Sequence, residues 1–565
     1  MLIMSHRRAL TENELRELAN ASESDESISE TENHTSSESE EDSSDDSVIP
    51  LYVQHPVEPS VAVPSKDGNI QWSLDPPNQG GRFSASNVIN NTPGVTRYAC
   101  ARIFDIQNSF DVLFSDIVAN QIISMTNLEG QRVFGTDWKD LDKIVFQAYL
   151  GLLLLAGVFK SHGESTKSLW NEETGRSIFR ATMSLEVFTK ISQVIRFDNK
   201  ATRQDRRRCD KLAAIREIWE KWVENLPKFF NPDENVTIDE QLVAFRGRCP
   251  FKQYIPSKPA KYGIKIWVLC DSNTSYAIKL QIYTGKEAGA APERNQGMRV
   301  VCDLSSDLKG QNITCDNFFT SYNLGQFLLK RKITMLGTIR KNKPELPTQI
   351  VNKEVHSSSF YFTQDTTVVN YIPKKNKNVV LMSTLHRGKA ISDRNDKKPQ
   401  IILDYNSTKG AVDTLDQLVG TYTCKRKTNR WPMIVFYNML DISAYNAFIL
   451  WTSINPQWNT NKLTKRRIFL EELGKTLVKP LILSRKNLPR TRDSQELVKR
   501  TRAETSRQDG NSSEPSIDNP TTPAKRARCK FCSKSDNKTN ILCFICHKHI
   551  CKNHSFYYCP SCKLN

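Results

Sequence analysis

The chain has 565 residues, of which 38% are hydrophobic and 9% aromatic, a composition that excludes a wholly disordered polypeptide. This length exceeds that of one compact core, so we expect about two to four structural units. Lys and Arg number 79 against 62 Asp and Glu, giving a net charge of +17, which indicates a polyanionic partner such as nucleic acid. The alternative is a basic surface that serves solubility alone. The longest apolar run, residues 148–159, is shorter than the roughly 20 residues of a spanning helix, so we expect a soluble intracellular protein without a membrane partner.

The first part of the chain has the composition of a disordered acidic region. Residues 21–50 contain 11 acidic residues and no Lys or Arg, and Pro- and Asn-rich sequence follows. We therefore predict that residues 1–95 are disordered. From residue 96 apolar positions recur at helical spacing, as in Leu141, Ile144, Val145 and Tyr149, which predicts helices over residues 96–235.

Short β-branched runs separated by turn-forming sequence begin near residue 236 and predict a sheet. We expect strands at residues 236–245, 264–270, 276–283, 313–316 and 333–339. Residues 341–400 are rich in Lys and Asn, with weak strands at 359–363 and 379–383, and we interpret them as an insertion. The pattern is then helical as far as residue 484. A polar basic linker, residues 485–528, leads to a cysteine-rich tail at residues 529–562.

Acidic side chains occur at positions where a sheet-based active site would place them. Asp239 lies in the first strand and Asp316 ends a short apolar strand, while Asp413 opens a helix with Asp416 one turn further on the same face. Carboxylates along apolar strands are costly to bury without a cation, and their oxygens are the ligands that Mg²⁺ prefers. Two such ions activate the attacking oxygen and stabilise the leaving oxygen in phosphoryl transfer. The spacing alone also fits Asp residues that only form turns.

Three long runs carry a resemblance to a known family: TIDEQLVAFRGRCPFKQYIPSKPAKYGIKIW, TCDNFFTS and NSTKGAVDTLDQLVGTYTCKRKTNRWP. In their order and separation they resemble the piggyBac-family transposases, from residue 100 to residue 480 and in the tail. Ala411 departs from the family, which usually has a second Gly there, and the change is sterically mild. The resemblance implies a multidomain α/β protein with an RNase H-like mixed-sheet catalytic core, residues 236–340 and 401–420, interrupted by the insertion at 341–400. It also implies that residues 96–235 and 421–484 form an all-α dimerisation and DNA-binding domain.

The same resemblance implies that Asp239, Asp316 and Asp413 hold Mg²⁺ or Mn²⁺, with Asp416 in support. The implied reaction is cut-and-paste transposition of double-stranded DNA by end nicking, hairpin formation and strand transfer into TTAA targets, carried out by a homodimer. The substrate is chromosomal, and basic clusters such as residues 525–528 predict nuclear import. Two alternatives stay open: a host-adopted descendant that binds DNA or chromatin without cutting, and a different RNase H-like nuclease.

Basic residues follow the first carboxylate and predict DNA contacts, since guanidinium groups bind phosphate bidentately. They are Arg246, Arg248, Lys258, Lys261 and Lys265. A solvated β-turn is the alternative. Arg430 and Trp431 lie in CKRKTNRWP, where an aromatic ring among cations can stack on an unpaired base. In the family the matching Trp stabilises the distorted hairpin end, and core packing of Trp431 is the competing interpretation.

Half of the 14 cysteines lie after residue 528, and with one histidine they form four pairs that have two residues between the members. The pairs are Cys529/Cys532, Cys543/Cys546, Cys551/His554 and Cys559/Cys562. Eight such ligands predict two closed Zn²⁺ sites, because disulfides are not expected inside the cell. An interleaved arrangement assigns the first and third pairs to one ion and the others to the second. Consecutive fingers are the alternative, with His547 and His549 as competing ligands. The tail resembles the family's domain that recognises transposon-end DNA, and a RING- or PHD-like module is its competitor.

Overall fold

The computed structural model describes residues 62–77, 87–89, 91–285, 293–348, 354–508, 527–532, 538–541 and 549–554. The chain divides into two compact units, Met1–Leu497 and Val498–Asn565. Residues 1–61, the larger part of the region predicted to be disordered, lie outside the described residues. The same holds for four of the predicted zinc ligands, Cys543, Cys546, Cys559 and Cys562.

The described residues contain fifteen strands, rich in β-branched and aromatic side chains. In chain order they are β1 (Val63–Pro64), β2 (Gln71–Trp72), β3 (Gly94–Val95), β4 (Phe230–Asn231), β5 (Asn235–Ala244), β6 (Lys252–Tyr254), β7 (Tyr262–Asp271), β8 (Ala277–Ile282), β9 (Asn312–Cys315), β10 (Thr334–Thr338), β11 (Ser358–Phe362), β12 (Thr367–Lys374), β13 (Lys377–Ser383), β14 (Ala527–Arg528) and β15 (Lys538–Thr539).

Of these strands, nine form one mixed sheet in the order β11-β12-β13-β10-β9-β5-β7, with β6 and β8 following one another along the outer edge of β7. β5, β9 and β10 are mutually parallel, and the other neighbours are antiparallel. Nearly every residue of β7 is buried, as expected for a strand covered on both faces. The five expected strands are present as β5, β7, β8, β9 and β10, with ends that differ by a few residues.

The predicted insertion does not form a separate layer. Its strands β11, β12 and β13 continue the central sheet, because β13 pairs with β10 from Leu336↔Ser383 to Thr338↔Leu381. Phe360, Phe362 and Leu381 pack with Leu336 in one hydrophobic cluster. The apolar side chains of this segment are therefore buried against the sheet itself.

A hairpin formed by β1 and β2 lies within the region predicted to be disordered, and the prediction of disorder fails there. Trp72 is completely buried and its Nε1 donates to the Glu345 carbonyl at 3.0 Å. Ser73 and Phe362 exchange backbone hydrogen bonds of 2.8 Å. One tryptophan in polar sequence produces no periodic pattern, so the docking of this hairpin on the sheet leaves little sequence signal.

Six of the described helices begin at a Ser, Thr or Asp residue whose side chain caps the first turn, such as Asp142 and Ser184. Sixteen α-helices occur in the described residues: α1 (Arg97–Cys100), α2 (Ile106–Asp111), α3 (Asp116–Phe134), α4 (Lys143–Val158), α5 (Thr166–Leu169), α6 (Ser177–Thr182), α7 (Leu185–Val194), α8 (Arg203–Arg206), α9 (Arg216–Val223), α10 (Gln296–Leu304), α11 (Tyr322–Lys330), α12 (Gln400–Thr408), α13 (Ala411–Thr421), α14 (Trp431–Ile454), α15 (Lys465–Ser484) and α16 (Arg492–Gln508). Short 3₁₀ turns occupy Gly135–Asp137, Leu226–Lys228 and Lys552–His554.

Helices from the two halves of the first unit pack together around α14. On α4 and α15, Gly151 and Gly474 let the backbones approach closely, since a β-carbon at Gly151 would lie 2.8 Å from the Gly474 carbonyl oxygen. Asn446 of α14 exchanges hydrogen bonds of 2.9 and 3.0 Å with the backbone of Ala277 on β8. The helices that precede the sheet in the chain and those that follow it thus form one layer, which packs against the sheet.

In length and composition α14 could cross a membrane, but 89% of its apolar window is buried inside the fold. Trp222 of α9 donates to the Ser443 hydroxyl of α14 at 2.8 Å. We therefore interpret α14 as the central helix of the core.

Helix α16 occupies much of the segment that was predicted to be a linker, which is a correction for Arg492–Gln508. Its composition is strongly polar, and Arg500 pairs with Glu504 one turn further on its exposed side. Its first turn is attached to the fold, because the buried Ser494 hydroxyl donates to the Ser177 carbonyl at 3.1 Å. Residues 509–526 of the predicted linker lie outside the described residues.

Candidate active site

The parallel pairing of β5 and β9 brings two of the predicted carboxylates side by side. Ile238 lies opposite Cys315 in this ladder, so the next residue on each chain, Asp239 and Asp316, continues the same register. Asp239 is in the middle of β5, and Asp316 follows the last residue of β9. Strand pairing thus places both carboxylates at the carboxyl end of β9.

A third carboxylate, Glu240, joins them. Asp239, Glu240 and Asp316 each have an oxygen within 4.8 Å of the others. Burial, with the charges of Glu240 and Asp316, raises the pKa of Asp239 well above its ordinary value. Burial and Glu240 raise the pKa of Asp316 to about 6, and Lys265 offsets this only in part. Three crowded carboxylates, with the pKa raised at Asp239 and at Asp316, fit a divalent cation, which would supply positive charge.

The sequence pattern does not predict Glu240 as a site residue. The adjacent acidic pair in TIDEQ was the available signal, but neighbours in a strand point to opposite faces, and this rule argues against a shared site. In the structure the Glu240 backbone N–H donates to Asp239 Oδ1 at 2.8 Å. Glu240 is 7% exposed.

Asp413 lies in the first turn of α13 and is paired with Lys258. Lys258 Nζ donates to Asp413 Oδ1 at 3.0 Å, and the Asp413 side chain is 66% exposed. Burial opposes the charge of Lys258, but Asp239 and Asp413 together raise its pKa. Among the described residues, Asp413 is therefore outside the group of three carboxylates, and the Lys258 ammonium that binds it also interacts with the charge of Asp239. Ala411, the departure from the family pattern, is buried at the start of the same helix.

Asp416 is bound to β5 through Gln241. Gln241 Nε2 donates to Asp416 Oδ1 at 3.1 Å, and Asn438 of α14 donates to Gln241 Oε1 at 2.9 Å. Burial raises the pKa of Asp416. This chain of hydrogen bonds ties α13 to both the sheet and the central helix.

The basic residues predicted to contact DNA fall into two groups. Arg246, Arg248 and Lys261 are exposed in the turns that flank β6. Lys258 forms the ion pair with Asp413 and is largely buried. Lys265 departs from expectation because it is 3% exposed, with its ammonium 4.9 Å from the ring centre of Phe318.

Arginine side chains of the basic segment Cys424–Trp431 attach this segment to the rest of the fold. Arg430 donates to the carbonyls of Ile195 and Ser192 at 2.9 and 2.6 Å, at the end of α7. Arg426 Nη2 donates to the Glu164 carbonyl at 2.7 Å. Trp431 is half-buried and its ring packs edge-on against Phe251, with centroids 4.9 Å apart. Both arginines therefore fix the segment, and Trp431 is partly packed and partly open.

Two cavities flank this segment. The first has a volume of about 350 Å³, is bordered by Trp431, and has no acidic side chain among the described residues that line it. Its basic lining residues are Arg196, Lys200, Arg203, Arg207, Lys211 and Arg430. The second, of about 610 Å³, is lined by Asp413, Asp416, Lys258 and Lys427 among others. The segment thus separates a cationic cavity from a cavity that adjoins the predicted triad.

In the second unit, four predicted zinc ligands meet. Cys529, Cys532, Cys551 and His554 each offer a ligand atom within 4.8 Å of the others. The Cys551 Sγ and His554 Nδ1 atoms are 3.3 Å apart, and Cys532 Sγ lies 3.6 Å from Cys551 Sγ. Burial raises the pKa of Cys529, but hydrogen bonds from the backbone N–H groups of Cys551 and Phe531 outweigh burial and lower this pKa to about 6. This favours the thiolate that binds metal, and the four residues are those that the interleaved arrangement assigns to one ion.

The chain matches the family model described as Transposase IS4 over residues 106–448, more than half of its length. It is 25% identical to PiggyBac transposable element-derived protein 3 of Homo sapiens over 328 residues, which are 53% of this chain and 54% of that protein. It is 22% identical to PiggyBac transposable element-derived protein 2 of Homo sapiens over 279 residues, 45% of either chain. The chain thus spans about half the length of the curated relatives it matches.

Among solved structures, the chain is similar to a cryo-EM structure of the piggyBac transposase synaptic complex with hairpin DNA. The TM-score is 0.69 and the identity 33%, over 84% of this chain and 100% of that chain. The two likenesses cover both the sheet that carries the carboxylates and the helices around it. This chain belongs to the piggyBac-like transposases.

Proposed function

We propose that this protein is an active DNA transposase that cuts and joins DNA with divalent metal ions. The observation that carries the proposal is the cluster of Asp239, Glu240 and Asp316, one buried and two half-buried carboxylates whose mutual repulsion a bound cation would relieve. The order β8-β7-β5-β9-β10, with three parallel central strands, supports an RNase H-like core. Following the family, the reaction is nicking at transposon ends, hairpin formation and strand transfer into TTAA targets.

We assign Asp239, Asp316 and Asp413 as the ligands of Mg²⁺ or Mn²⁺, which when bound would activate the attacking oxygen and stabilise the leaving oxygen. Asp413 joins the others once its carboxylate leaves Lys258, and an ion pair with one exposed partner costs on the order of 1 kcal/mol to break. Lys258 then has its ammonium free beside the metal site, where it can hold a phosphate oxygen of the DNA.

We assign the cationic cavity beside Trp431 to DNA. Arg196, Lys200 and Arg203 are paired with Glu129 or Asp198, and they can bind backbone phosphates when these pairs open. The open part of the Trp431 ring can stack on an unpaired base. Arg246, Arg248 and Lys261 extend the basic surface from the end of β5. The similar structure is of a piggyBac transposase synaptic complex with hairpin DNA, which supports DNA as a partner of this chain. Following the family, the protein acts on DNA as a homodimer.

We assign two Zn²⁺ ions to the tail, one held by Cys529, Cys532, Cys551 and His554, and the other by the four ligands outside the described residues. The tail would recognise transposon-end DNA, because the basic core already supplies affinity for any sequence. Nuclear import through residues 485–528 completes the proposal. Imaging a fusion without this segment tests it, and undiminished nuclear signal would place the import signal elsewhere.

A host-adopted protein that binds DNA without cutting is the second candidate. It is favoured by the relatives of Homo sapiens, whose names describe them as derived from transposable elements. The carboxylate cluster of this chain favours cleavage instead.

The two candidates differ in an excision assay on a donor with matched ends. Asp239→Asn, Asp316→Asn and Asp413→Asn should each abolish excision while DNA affinity is kept, because each removes one negative ligand at nearly constant volume. A wild-type protein that binds end DNA but never excises it would favour the second candidate. Full excision by one variant would remove that residue from the triad.

A further inference from the structure

Three buried threonines meet beside the carboxylates. Thr237 and Thr314 each lie two residues before a predicted ligand, on β5 and β9, and are 1% and 0% exposed. Both reach Thr408, the last residue of α12. Thr237 Oγ1 donates to the Thr408 backbone oxygen at 2.6 Å, and the hydroxyls of Thr314 and Thr408 are 2.7 Å apart. This threonine cluster (Thr237, Thr314, Thr408) joins both ligand-bearing strands to one helix end.

The hydrogen bonds of the cluster have a defined direction. Thr408 donates its hydroxyl to the Asp404 carbonyl at 2.8 Å, one turn back in α12. Its oxygen is therefore left to accept from Thr314. Ser272 lies 2.9 Å from the Thr237 hydroxyl and completes the partners of that group. Buried hydroxyls that are satisfied in this way fix the elements that carry them.

A second contact holds the same helical segment from the other side. Gln241 of β5 binds Asp416 at 3.1 Å. On the strand, Thr237 and Gln241 therefore flank the predicted ligand between them, and on the segment 400–421, Thr408 and Asp416 flank Asp413. The two attachment points set the distance between β5 and the first turn of α13.

Asp413 itself contributes little to this alignment, because its side chain is 66% exposed and is bound only at its tip by Lys258. Its position follows from the way its helix is attached. A ligand must be held within about 0.5 Å of the productive geometry, and a displacement of about 1 Å can cost a factor of roughly 100 in rate.

We propose that Thr408 is a positioning residue, which aligns the segment 400–421 with β5 and β9 so that Asp413 reaches the metal ion held by Asp239 and Asp316. This inference rests on the proposed function, because the site it serves is the metal site of that function. Threonine suits the task because its β-branched side chain is stiff and its hydroxyl both donates and accepts.

The test compares Thr408→Val with wild type in Mn²⁺ binding, followed by electron paramagnetic resonance, and in single-turnover nicking of DNA over a range of Mg²⁺ concentrations. Valine keeps the shape of threonine and removes its hydroxyl. We expect Mn²⁺ affinity about 10- to 100-fold weaker, as for other residues that orient metal ligands, and a nicking rate that recovers partly at high Mg²⁺. DNA affinity should not change. Thr408→Ser should behave as wild type.

Two further variants separate positioning from stability. Thr421→Val makes the same change on α13 at an exposed hydroxyl that binds only its own helix, and it should leave Mn²⁺ affinity unchanged. Thr408→Val leaves the Thr314 hydroxyl without its acceptor. The double variant Thr314→Val/Thr408→Val also removes that hydroxyl, so its free energy of unfolding should return towards that of wild type. Its Mn²⁺ affinity should stay low. If Mn²⁺ affinity recovers together with stability, the threonine cluster serves folding only and the inference is overturned.

Two results separate the positioning role of Thr408 from the proposed function. If wild type binds Mn²⁺ and Thr408→Val binds it equally well, the positioning role is wrong and the proposed function stands. If folded wild type binds no Mn²⁺ at the carboxylates, both are wrong.

Discussion

Removing the charge of Asp316 should stabilise the metal-free protein at neutral and alkaline pH. Burial and the charge of Glu240 raise the pKa of Asp316 from 3.8 to about 6. Ionisation of this carboxyl therefore costs more in the folded than in the unfolded chain. The cost is absent below pH 3.8, grows up to about pH 6 and is complete above it. At about 1.4 kcal/mol for each pKa unit, the free energy of unfolding of Asp316→Asn should exceed that of wild type by about 3 kcal/mol at pH 8.

The assay is urea unfolding of both proteins in EDTA at several pH values. The Phe318 backbone N–H donates to Asp316 Oδ1 at 2.9 Å, and an asparagine oxygen keeps this hydrogen bond, so the comparison isolates the charge. The two stabilities should converge as the pH falls towards 4. Asp205→Asn, at a side chain that is 79% exposed, is the control and should change stability by less than about 0.5 kcal/mol at any pH.

Saturating Mg²⁺ should narrow the difference at pH 8, because the ion stabilises only the protein that keeps its ligands. Equal stabilities of wild type and Asp316→Asn at pH 8 without metal would refute the reasoning. They would mean that the carboxylate is solvated rather than crowded, and the argument for a cation would lose its basis.

Three further predictions concern packing, the tail and the DNA surface. Gly151→Ala should destabilise the protein by about 1–3 kcal/mol through overpacking against Gly474, whereas Gly420→Ala, with open space around it, should gain up to about 1 kcal/mol. Thermal unfolding measures both, and a stabilised Gly151→Ala would contradict the close helix contact. Cys529→Ser should release zinc and abolish the preference for end over scrambled DNA, while metal-dependent cleavage by the core persists on DNA that already carries a nick. A variant that keeps its full zinc content would contradict the ligand set. Trp431→Ala should weaken binding of hairpin DNA by about 1–3 kcal/mol. A loss of stability without a loss of affinity would assign Trp431 to packing alone.

The sequence predicts the strands of the core and two of its carboxylates because both depend on local pattern. β-branched runs select β5 and β9, and a short parallel pairing leaves Asp239 and Asp316 little freedom to lie apart. Glu240 was not predicted, since the alternation of side chains along a strand argues against it. Its inclusion depends on the local geometry of the chain around Asp239.

Long-range pairing accounts for the other differences. Arg430 is basic in the sequence, but its guanidinium binds two carbonyls at the end of α7, far away in the chain. Lys258 binds Asp413, and Lys265 is buried beside Phe318, for the same reason. A run of basic residues predicts charge, but it does not tell which of the charges are used inside the fold. Trp72 adds a hairpin to the sheet from a region whose composition predicts disorder.

The central claim is that Asp239 binds the catalytic metal ion directly. The most direct measurement is the nicking rate of Asp239→Cys on end DNA in Mg²⁺ and in Mn²⁺, with DNA affinity determined in parallel. A thiolate is a poor ligand for Mg²⁺ and a better one for softer metals. The account predicts that the variant binds DNA, is inactive in Mg²⁺ and recovers activity in Mn²⁺. Activity at the wild-type level in Mg²⁺, or a folded DNA-binding variant that no metal restores, would contradict direct ligation.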